Sequence, residues 1–265
     1  MLTICPTPIG NLGDITLRTL EALKSCDYVL CEDSRKTGFL LHHFEISKKL
    51  VVFHKHNERD IEELILSDLR LGKKICLVSD AGTPSINDPG AHLISLCHEE
   101  KLFVTSLPGP SAIPTALSLS GLEYNKFQFL GFFPKKSSER ATLIEDMLHY
   151  DGVSIFFESP NRILQVVALF PTNTKIYIAK ELSKIHEALI IITPDEAFAF
   201  EDRLTRGEIC VLIKGSERKA TLQFDDEVLM NILTEKLTKK DAAKIASKLT
   251  GKKKQFFYKN SFLEF

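Results

Sequence analysis

The chain has 265 residues, of which 44% are hydrophobic and 26% charged, with a net charge of −1; these values are ordinary for a globular protein of one or two domains. No apolar run approaches the roughly 20 residues that cross a bilayer, and the first residues lack the basic segment and apolar stretch of a signal peptide. These features argue against a membrane-spanning or secreted protein, and we expect a cytoplasmic one.

Short apolar runs alternate with helical patterns through the first 120 residues. Apolar Ile61, Leu64, Ile65 and Leu69 recur at helical spacing in one of them. Strand–helix alternation with short connections predicts a doubly wound α/β domain over residues 1–120 with a parallel sheet. The predicted strands are 2–5, 28–31, 50–53, 75–78 and 102–104, and the predicted helices are 16–25, 36–44, 58–71, 90–98 and one after residue 111.

A second series of strands follows a linker at residues 121–126. We expect a second α/β domain over residues 121–216, whose sheet can be mixed because helical patterns lie between only its early strands. Its predicted strands are 127–133, 153–157, 175–179, 188–192 and 209–213, and its predicted helices are 137–149 and 161–170.

The end of the chain is polar, helical and basic. Thr238 and Asp241 are spaced as a capping box, and Gly251 is a plausible helix stop. Residues 235–265 carry nine lysines against three acidic residues, so the rest of the chain is acidic. We therefore predict a basic helical extension over residues 217–265, which either contacts a polyanion or is simply a solvated lysine-rich surface.

Turn-forming and polar residues follow every predicted strand of the first domain. Because ligands bind beyond the carboxyl ends of the strands in an open α/β sheet, these stretches predict one binding site at that edge. The stretches are 6–14, 32–38, 54–58, 79–90 and 108–112.

These loops are not the usual phosphate-binding loops. Gly10 and Gly13 fit neither G-x-G-x-x-G nor a Walker motif. Glycines let main chain approach a ligand closely, and prolines restrict the turn. Asp80 is placed to orient a cationic or hydroxyl-bearing group, so the pattern favours a small cofactor with polar and apolar parts.

The cysteines and histidines do not indicate a metal site. The six cysteines lie mostly in apolar runs without a C-x-x-C pair, which predicts buried free thiols. His54 and His56 lie two residues apart at a strand end, but no third ligand is evident, and a helix-entry turn is the better interpretation.

Long motifs, in order, resemble one known family. They are "PTPIGNLGDIT", "EDSRKTGFLL", "VSDAGTPSINDPG", "LPGPSAIPTALSLSGL", "FLGFFPKK", "FFESPNR", "AKELSK" and "GEICVLI". The chain resembles the ribosomal RNA small subunit methyltransferase I family, a branch of the tetrapyrrole methylases that uses S-adenosylmethionine (SAM). The resemblance implies two α/β domains with the cofactor cleft between them. It also implies a homodimer that methylates a cytidine ribose 2′-hydroxyl in the decoding region of 16S rRNA, within the small ribosomal subunit.

The resemblance also implies a set of cofactor-binding residues on both domains. They belong to the first glycine loop, the turn after the fourth strand, the Pro-Gly turn after the fifth strand, and the second domain. The residues are Pro8, Asp80, Ala81, Gly82, Thr83, Pro84, Ser111, Ala112, Phe157, Leu182 and Gly207.

A ribose hydroxyl is a poor nucleophile until its proton begins to leave, so a base or a group that stabilises the developing alkoxide is needed. Polar residues at two strand ends are the candidates for a wall facing the nucleotide. They are Glu32, Asp33, Arg35, Lys180 and Glu181, with Arg35 suited to clamp a phosphate or carboxylate.

Two other functions stay open. One is SAM-dependent methylation of a tetrapyrrole or a protein side chain, although a pigment-sized substrate would not need a basic extension. The other is a non-catalytic ribosome-binding module with a vestigial pocket, against which the intact strand-end motifs argue. SAM binding distinguishes the enzyme from the module.

Overall fold

Two five-stranded sheets organise the first of the two compact units, Met1–Gly215 and Ser216–Phe265, into which the chain divides. The computed structural model describes residues 1–216 and 225–259, so parts of the predicted extension lie outside the described residues. Within those two ranges, no helix has the length and apolar character to cross a membrane.

The first sheet is parallel throughout, as predicted. Its strand order is β3-β2-β4-β1-β5, and its strands are three or four residues long with mostly apolar sequences, as expected for a sheet covered on both faces. The strands are β1 Leu2–Ile4, β2 Tyr28–Cys31, β3 Lys49–Val52, β4 Ile75–Leu77 and β5 Val104–Ser106.

Helices return the chain between these strands, and the first two begin at side-chain caps. The Thr16 hydroxyl accepts the Thr19 amide at 3.1 Å, and the Asp33 carboxylate accepts the Arg35 amide at 2.8 Å. Asn57 precedes its helix as predicted, but its side chain accepts from the His54 amide and so closes the preceding turn. The helices are α1 Leu17–Ser25, α2 Ser34–His43, α3 Glu58–Arg70, α4 Ala91–Glu99 and α5 Ala112–Ser120, with a 3-10 turn at Leu12–Asp14.

The second sheet is mixed and has the order β6-β7-β10-β8-β9. Strands β6 and β7 are parallel, and the other pairs are antiparallel. The strands are β6 Phe127–Phe132, β7 Val153–Glu158, β8 Ile176–Lys180, β9 Ala188–Ile192 and β10 Ile209–Lys214. The helices are α6 Ser137–His149, α7 Ile163–Val167 and α8 Glu201–Leu204, the last preceded by a 3-10 helix at Pro194–Phe200.

Helix α5 ties the two sheets together. Its buried Ile113, Ala116 and Leu117 belong to one apolar cluster with Val153 and Ile155 of β7. The helix begins at the turn after β5, so this turn is held beside both sheets. A domain boundary between residues 120 and 121 stays a prediction, since the helix before it packs on the sheet after it.

The second unit has its own small core. Leu229, Met230, three alanines of α10 and Phe257 are buried together. The Thr238 hydroxyl accepts the Asp241 amide at the start of α10, and Gly251 ends the helix with φ +70, as predicted. The helices are α9 Asp226–Thr234, α10 Lys239–Thr250 and α11 Lys254–Lys259.

Candidate functional site

A cavity of about 380 Å3 lies where the carboxyl ends of the first sheet's strands face the second sheet. This volume falls in the range of roughly 300–1,000 Å3 that is typical of small-molecule sites. The loops after β1, β4 and β5 line it, whereas those after β2 and β3 do not. Strand order explains the difference, because β4, β1 and β5 are neighbours and β2 and β3 lie on the other side of β4.

Hydrogen bonds join the three lining loops of the first sheet. Thr7 and Gly82 exchange both backbone hydrogen bonds at 2.9 Å, and the Thr83 hydroxyl donates to the Pro110 carbonyl at 3.0 Å. Gly82 has φ +84, a conformation that glycine adopts without strain. The loops after β1, β4 and β5 are therefore fastened to one another before any ligand binds.

The loop at residues 79–90 carries backbone strain next to the cavity. Ser85 and Asn87 both have positive φ, at +68 and +72, on either side of Ile86. Such conformations cost about 1–3 kcal/mol each for residues other than glycine, and they collect at functional sites. Here they turn Ile86 outward, where it lines the cavity and stays 43% exposed.

On the second sheet, Glu181, which follows β8, lies against Gly207, which precedes β10. The Glu181 carboxylate accepts the Glu208 amide at 2.8 Å and the Lys184 ammonium at 3.0 Å, which lowers the pKa of Glu181. A Cβ on Gly207 would lie 2.7 Å from the Glu181 side chain. A side chain at position 207 would therefore displace the Glu181 side chain, and Gly207 also has φ +84. Glycine thus allows the backbone to pass close to this carboxylate beside the cavity.

Most of the predicted cofactor-binding residues do meet at the cavity. Those that line it are Ala81, Gly82, Thr83, Ser111, Ala112, Phe157, Leu182 and Gly207. Pro8, Asp80 and Pro84 do not. Asp80 accepts the Asp33 amide at 3.1 Å and the Lys36 ammonium at 2.8 Å, so its carboxylate binds helix α2. Binding of a cofactor by any of these residues stays a prediction.

The predicted catalytic residues lie beside the cavity and not in its lining. Asp33 pairs with Arg35 through two hydrogen bonds of 2.7 and 3.0 Å, which hold the pKa of Asp33 well below its usual range and make it a weak base. The Lys180 ammonium donates to the Arg203 carbonyl. The negative charge of Glu32 helps to raise the pKa of Asp88, a residue of the lining.

Several lining residues were not assigned a site role from the sequence. Ile86, Asn87 and Asp88 belong to the loop that the sequence singled out, and Ser159 and Pro160 follow β7 in the same way, so their position at strand ends was the available signal. Ile113, Phe132 and Cys210 lie within regular elements and carried no such signal. The full set is Ile9, Ile86, Asn87, Asp88, Ile113, Phe132, Ser159, Pro160, Ala179, Ile209 and Cys210. Glu208 also lines the cavity, as the resemblance implies for residues 207–208. Glu158, which the sequence identifies as a ligand-edge or ion-pair residue, lines the cavity and pairs with Arg162.

The cavity is acidic. Its lining contains Asp88, Glu158 and Glu208 but no lysine, arginine or histidine among the described residues. Glu158 pairs with Arg162 at 3.2 Å and Glu208 with Lys184 at 3.0 Å, whereas Asp88 has no basic partner at ion-pair distance among the described residues. Burial raises the pKa of Asp88 to about 6, and the negative charges of Glu32 and Asp80 add to the effect. This arrangement favours a ligand that carries positive charge.

The six cysteines occur in several parts of the structure, including the cavity lining, where Cys210 lies. All six cysteines are buried free thiols, as predicted. His54 and His56 lie with ring centroids 5.8 Å apart. Across residues 1–216 and 225–259, no three His, Cys, Asp or Glu side chains are grouped to hold a metal ion.

Comparison with known proteins identifies the fold. A family model described as Tetrapyrrole (Corrin/Porphyrin) Methylases matches residues 1–199. A diphthine synthase structure aligns with a TM-score of 0.64 at 13% identity, covering 81% of this chain and 89% of that one. A uroporphyrin-III-C-methyltransferase from Thermus thermophilus aligns with a TM-score of 0.57 at 15% identity, covering 81% and 94%. The fold is that of the tetrapyrrole methylases, which confirms the predicted fold class.

Curated relatives identify the branch. The ribosomal RNA small subunit methyltransferase I of Vibrio cholerae is 40% identical over 98% of this chain and 93% of its own length. The protein of the same name from Haemophilus influenzae is 36% identical over 97% and 95%. The chain belongs to the ribosomal RNA small subunit methyltransferase I branch of the tetrapyrrole methylases, as its motifs predicted.

The raised pKa of Asp88 predicts a pH-dependent cost in stability. An unfolded aspartate ionises near pH 4, so the unfolded state loses its proton first as the pH rises, and folding stability falls between about pH 4 and 6. Asp88→Asn should therefore be more stable than wild type at pH 7 by about 1 kcal/mol, discounted for partial exposure from roughly 1.4 kcal/mol per pKa unit. Urea unfolding from pH 3.5 to 8 measures the difference, which should vanish below pH 4.

Asp33→Asn is the matched control. The pKa of the Asp33 carboxyl group is lowered in the folded protein, so Asp33→Asn should be slightly less stable than wild type at pH 7. The difference in stability should shrink in acid. An Asp88→Asn protein that is no more stable than wild type at pH 7 would contradict the raised pKa of Asp88.

Proposed function

We propose that the protein transfers a methyl group from SAM to the ribose 2′-hydroxyl of a cytidine in the decoding region of 16S rRNA. The main support for the proposal is the cavity, because residues of both sheets' loops and strands line it. Its lining includes hydrogen-bonded backbone turns and acidic side chains. Membership in a family whose relatives are named for methylation of small subunit ribosomal RNA supports the substrate class. The 2′-hydroxyl of a cytidine and the assembled small subunit follow from the motif resemblance.

The cavity's residues fit SAM. SAM supplies a methyl group on a positively charged sulfonium, and it also carries an ammonium, a carboxylate and a flat aromatic adenine. The Asp88 carboxylate is suited to an ammonium, and a lining without lysine or arginine suits a cationic ligand. Ile9, Ile113 and Leu182 supply apolar walls, and Gly82 allows backbone groups to approach closely.

We propose that Glu32, Asp33, Arg35, Lys180 and Glu181 form the polar wall on the nucleotide side. The network from Asp33 to Asp80 borders the loop at residues 79–90, and Glu181 packs against Gly207 of the lining. The weak basicity of Asp33 favours Lys180 as the group that stabilises the ribose oxygen, because an ammonium offsets the negative charge that develops there.

Methyl transfer to rRNA is tested with labelled SAM. The purified protein is offered unmodified small subunits and, separately, naked 16S rRNA, and the labelled nucleoside is identified after digestion. Label is expected in 2′-O-methylcytidine, and preference for the subunit would show that ribosomal architecture is read. Bound SAM without transfer to either would favour a tetrapyrrole or protein substrate, and failure to bind SAM would favour the non-catalytic ribosome-binding module.

The role of Lys180 is tested by Lys180→Met, which removes the charge and keeps the length. We expect kcat to fall by about tenfold or more, since charge stabilisation at the reacting oxygen is removed, while the Kd for SAM is unchanged. Lys175→Met is the matched control, because Lys175 is exposed and directly precedes β8, the strand that Lys180 ends. Equal kcat values for both variants and wild type would remove Lys180 from the mechanism.

The basic extension is proposed to hold rRNA phosphates. Lys240, Lys244 and Lys248 recur every four residues along α10, which places them on one face of the helix. All three are exposed, whereas the alanines of the same helix are buried. Within the described ranges, none of the three has an acidic partner at ion-pair distance, whereas Lys252 pairs with Asp226.

Replacing these three lysines with glutamine should raise the KM for the RNA substrate and reduce its salt dependence, by about one unit of log–log slope for each phosphate that the variant no longer binds. The kcat should not change. The control replaces three exposed lysines that lie outside the cavity lining, namely Lys24 in the last turn of α1, Lys101 before β5 and Lys175 before β8. Identical salt dependence in the two triple variants would leave the extension without a role in RNA binding. A homodimer remains a prediction of the resemblance, and a cytoplasmic location remains a prediction of the sequence composition.

A further inference from the structure

Two apolar side chains lie at the opening of the cavity. Among the large apolar residues of the lining, Phe132 is 61% exposed and Ile86 is 43% exposed, whereas Ile113, Leu182 and Ile209 are buried. A lining residue that is open to solvent must lie at the rim. Single exposed apolar residues are common on protein surfaces, but these two come from different sheets and border the same opening.

The ring of Phe132 is fixed from the cavity side. It packs edge-on against Phe157, with centroids 5.6 Å apart, and Phe157 packs in the same way against Phe129 at 4.9 Å. The pairing of β6 with β7 shifts register between Phe129 and Phe132, around Gly131 at φ +69. An irregularity of this kind redirects side chains, and here it places Phe132 at the rim with much of its surface free.

Ile86 is presented from the other side of the same opening. The left-handed conformations of Ser85 and Asn87 turn it outward. The two segments touch, because a Cβ added to Gly131 would lie only 3.2 Å from the Asn87 side-chain oxygen. Phe132 follows Gly131 and Ile86 precedes Asn87, so the two apolar side chains belong to neighbouring segments at the opening.

We propose that Phe132 and Ile86 bind the nucleobase of the target nucleotide, with the base stacked on the Phe132 ring at the mouth of the cavity. This inference rests on the proposed function. In a nucleotide, the 2′-hydroxyl and the base are on adjacent ribose carbons. A ribose that enters the cavity therefore carries its base to the rim, where the base has left its neighbours in the RNA.

An unstacked base needs a flat apolar surface, and RNA-binding proteins supply one with aromatic side chains. Enzymes that act on an extruded nucleotide hold its base between aromatic and apolar side chains in the same way. The rim also contains the exposed Asn87, whose amide both donates and accepts hydrogen bonds and so matches the edge of a base. The lining carries no lysine or arginine, so a phosphate is not the group it suits.

The test compares full-length wild type with Phe132→Ala, Phe132→Tyr and Phe103→Ala. Phe103 is the matched control, because it is 66% exposed and lies just before β5, at the edge of the first sheet away from the cavity. For each protein, kcat and KM are measured with small subunits or 16S rRNA, whichever wild type methylates, and the Kd for SAM is measured by equilibrium dialysis.

We expect Phe132→Ala to raise the KM for RNA by about 10- to 100-fold, as removal of one base–aromatic stack should, with the SAM Kd within twofold of wild type. Phe132→Tyr keeps the ring and should restore KM to within about threefold, and Phe103→Ala should match wild type. An unchanged KM in Phe132→Ala would overturn the proposal. So would a parallel loss of SAM affinity, which would assign the ring to the cofactor. If wild type binds SAM but methylates no RNA, the proposed function fails first, and this inference fails with it.

Discussion

The pair of backbone hydrogen bonds between Thr7 and Gly82 is the interaction on which the rest of the site depends. It joins the loop after β1 to the loop after β4, and the Thr83 hydroxyl extends the connection to the turn after β5. Helix α5 begins at that turn and packs on the second sheet. This set of hydrogen bonds therefore positions both walls of the cavity. It can also hold the strained backbone at Ser85 and Asn87 in place.

The charges around the cavity are divided between neutralised and unneutralised groups. Asp33 and Asp80 are engaged by Arg35 and Lys36, which fixes the start of helix α2 beside the loop at residues 79–90. Asp88 has no such counter-ion at ion-pair distance among the described residues, and burial raises its pKa. Ionisation of such a carboxyl group lowers the free energy of unfolding. A cationic ligand that binds beside the ionised group would offset this loss of stability.

The architecture of both sheets was accessible from the sequence because apolar periodicity and turn residues are local signals. The predicted strands and helices of residues 1–216 correspond to observed elements, usually within one or two residues at each end. Strand order is not a local property. It separates the loops after β2 and β3 from the cavity, turns the Asp80 carboxylate toward α2, and leaves the predicted catalytic residues beside the lining.

By itself, the sequence determined the family, the alternation of strands and helices, and the edge of the first sheet at which the cavity lies, since each depends on the order of residues along the chain. The tertiary structure alone decided which of those loops meet, that Asp88 becomes a half-buried acid, and that Phe132 reaches the rim with Ile86. These properties depend on distances between segments that are far apart in the chain. The packing of the second sheet on α5 and the bridge between Thr7 and Gly82 set those distances.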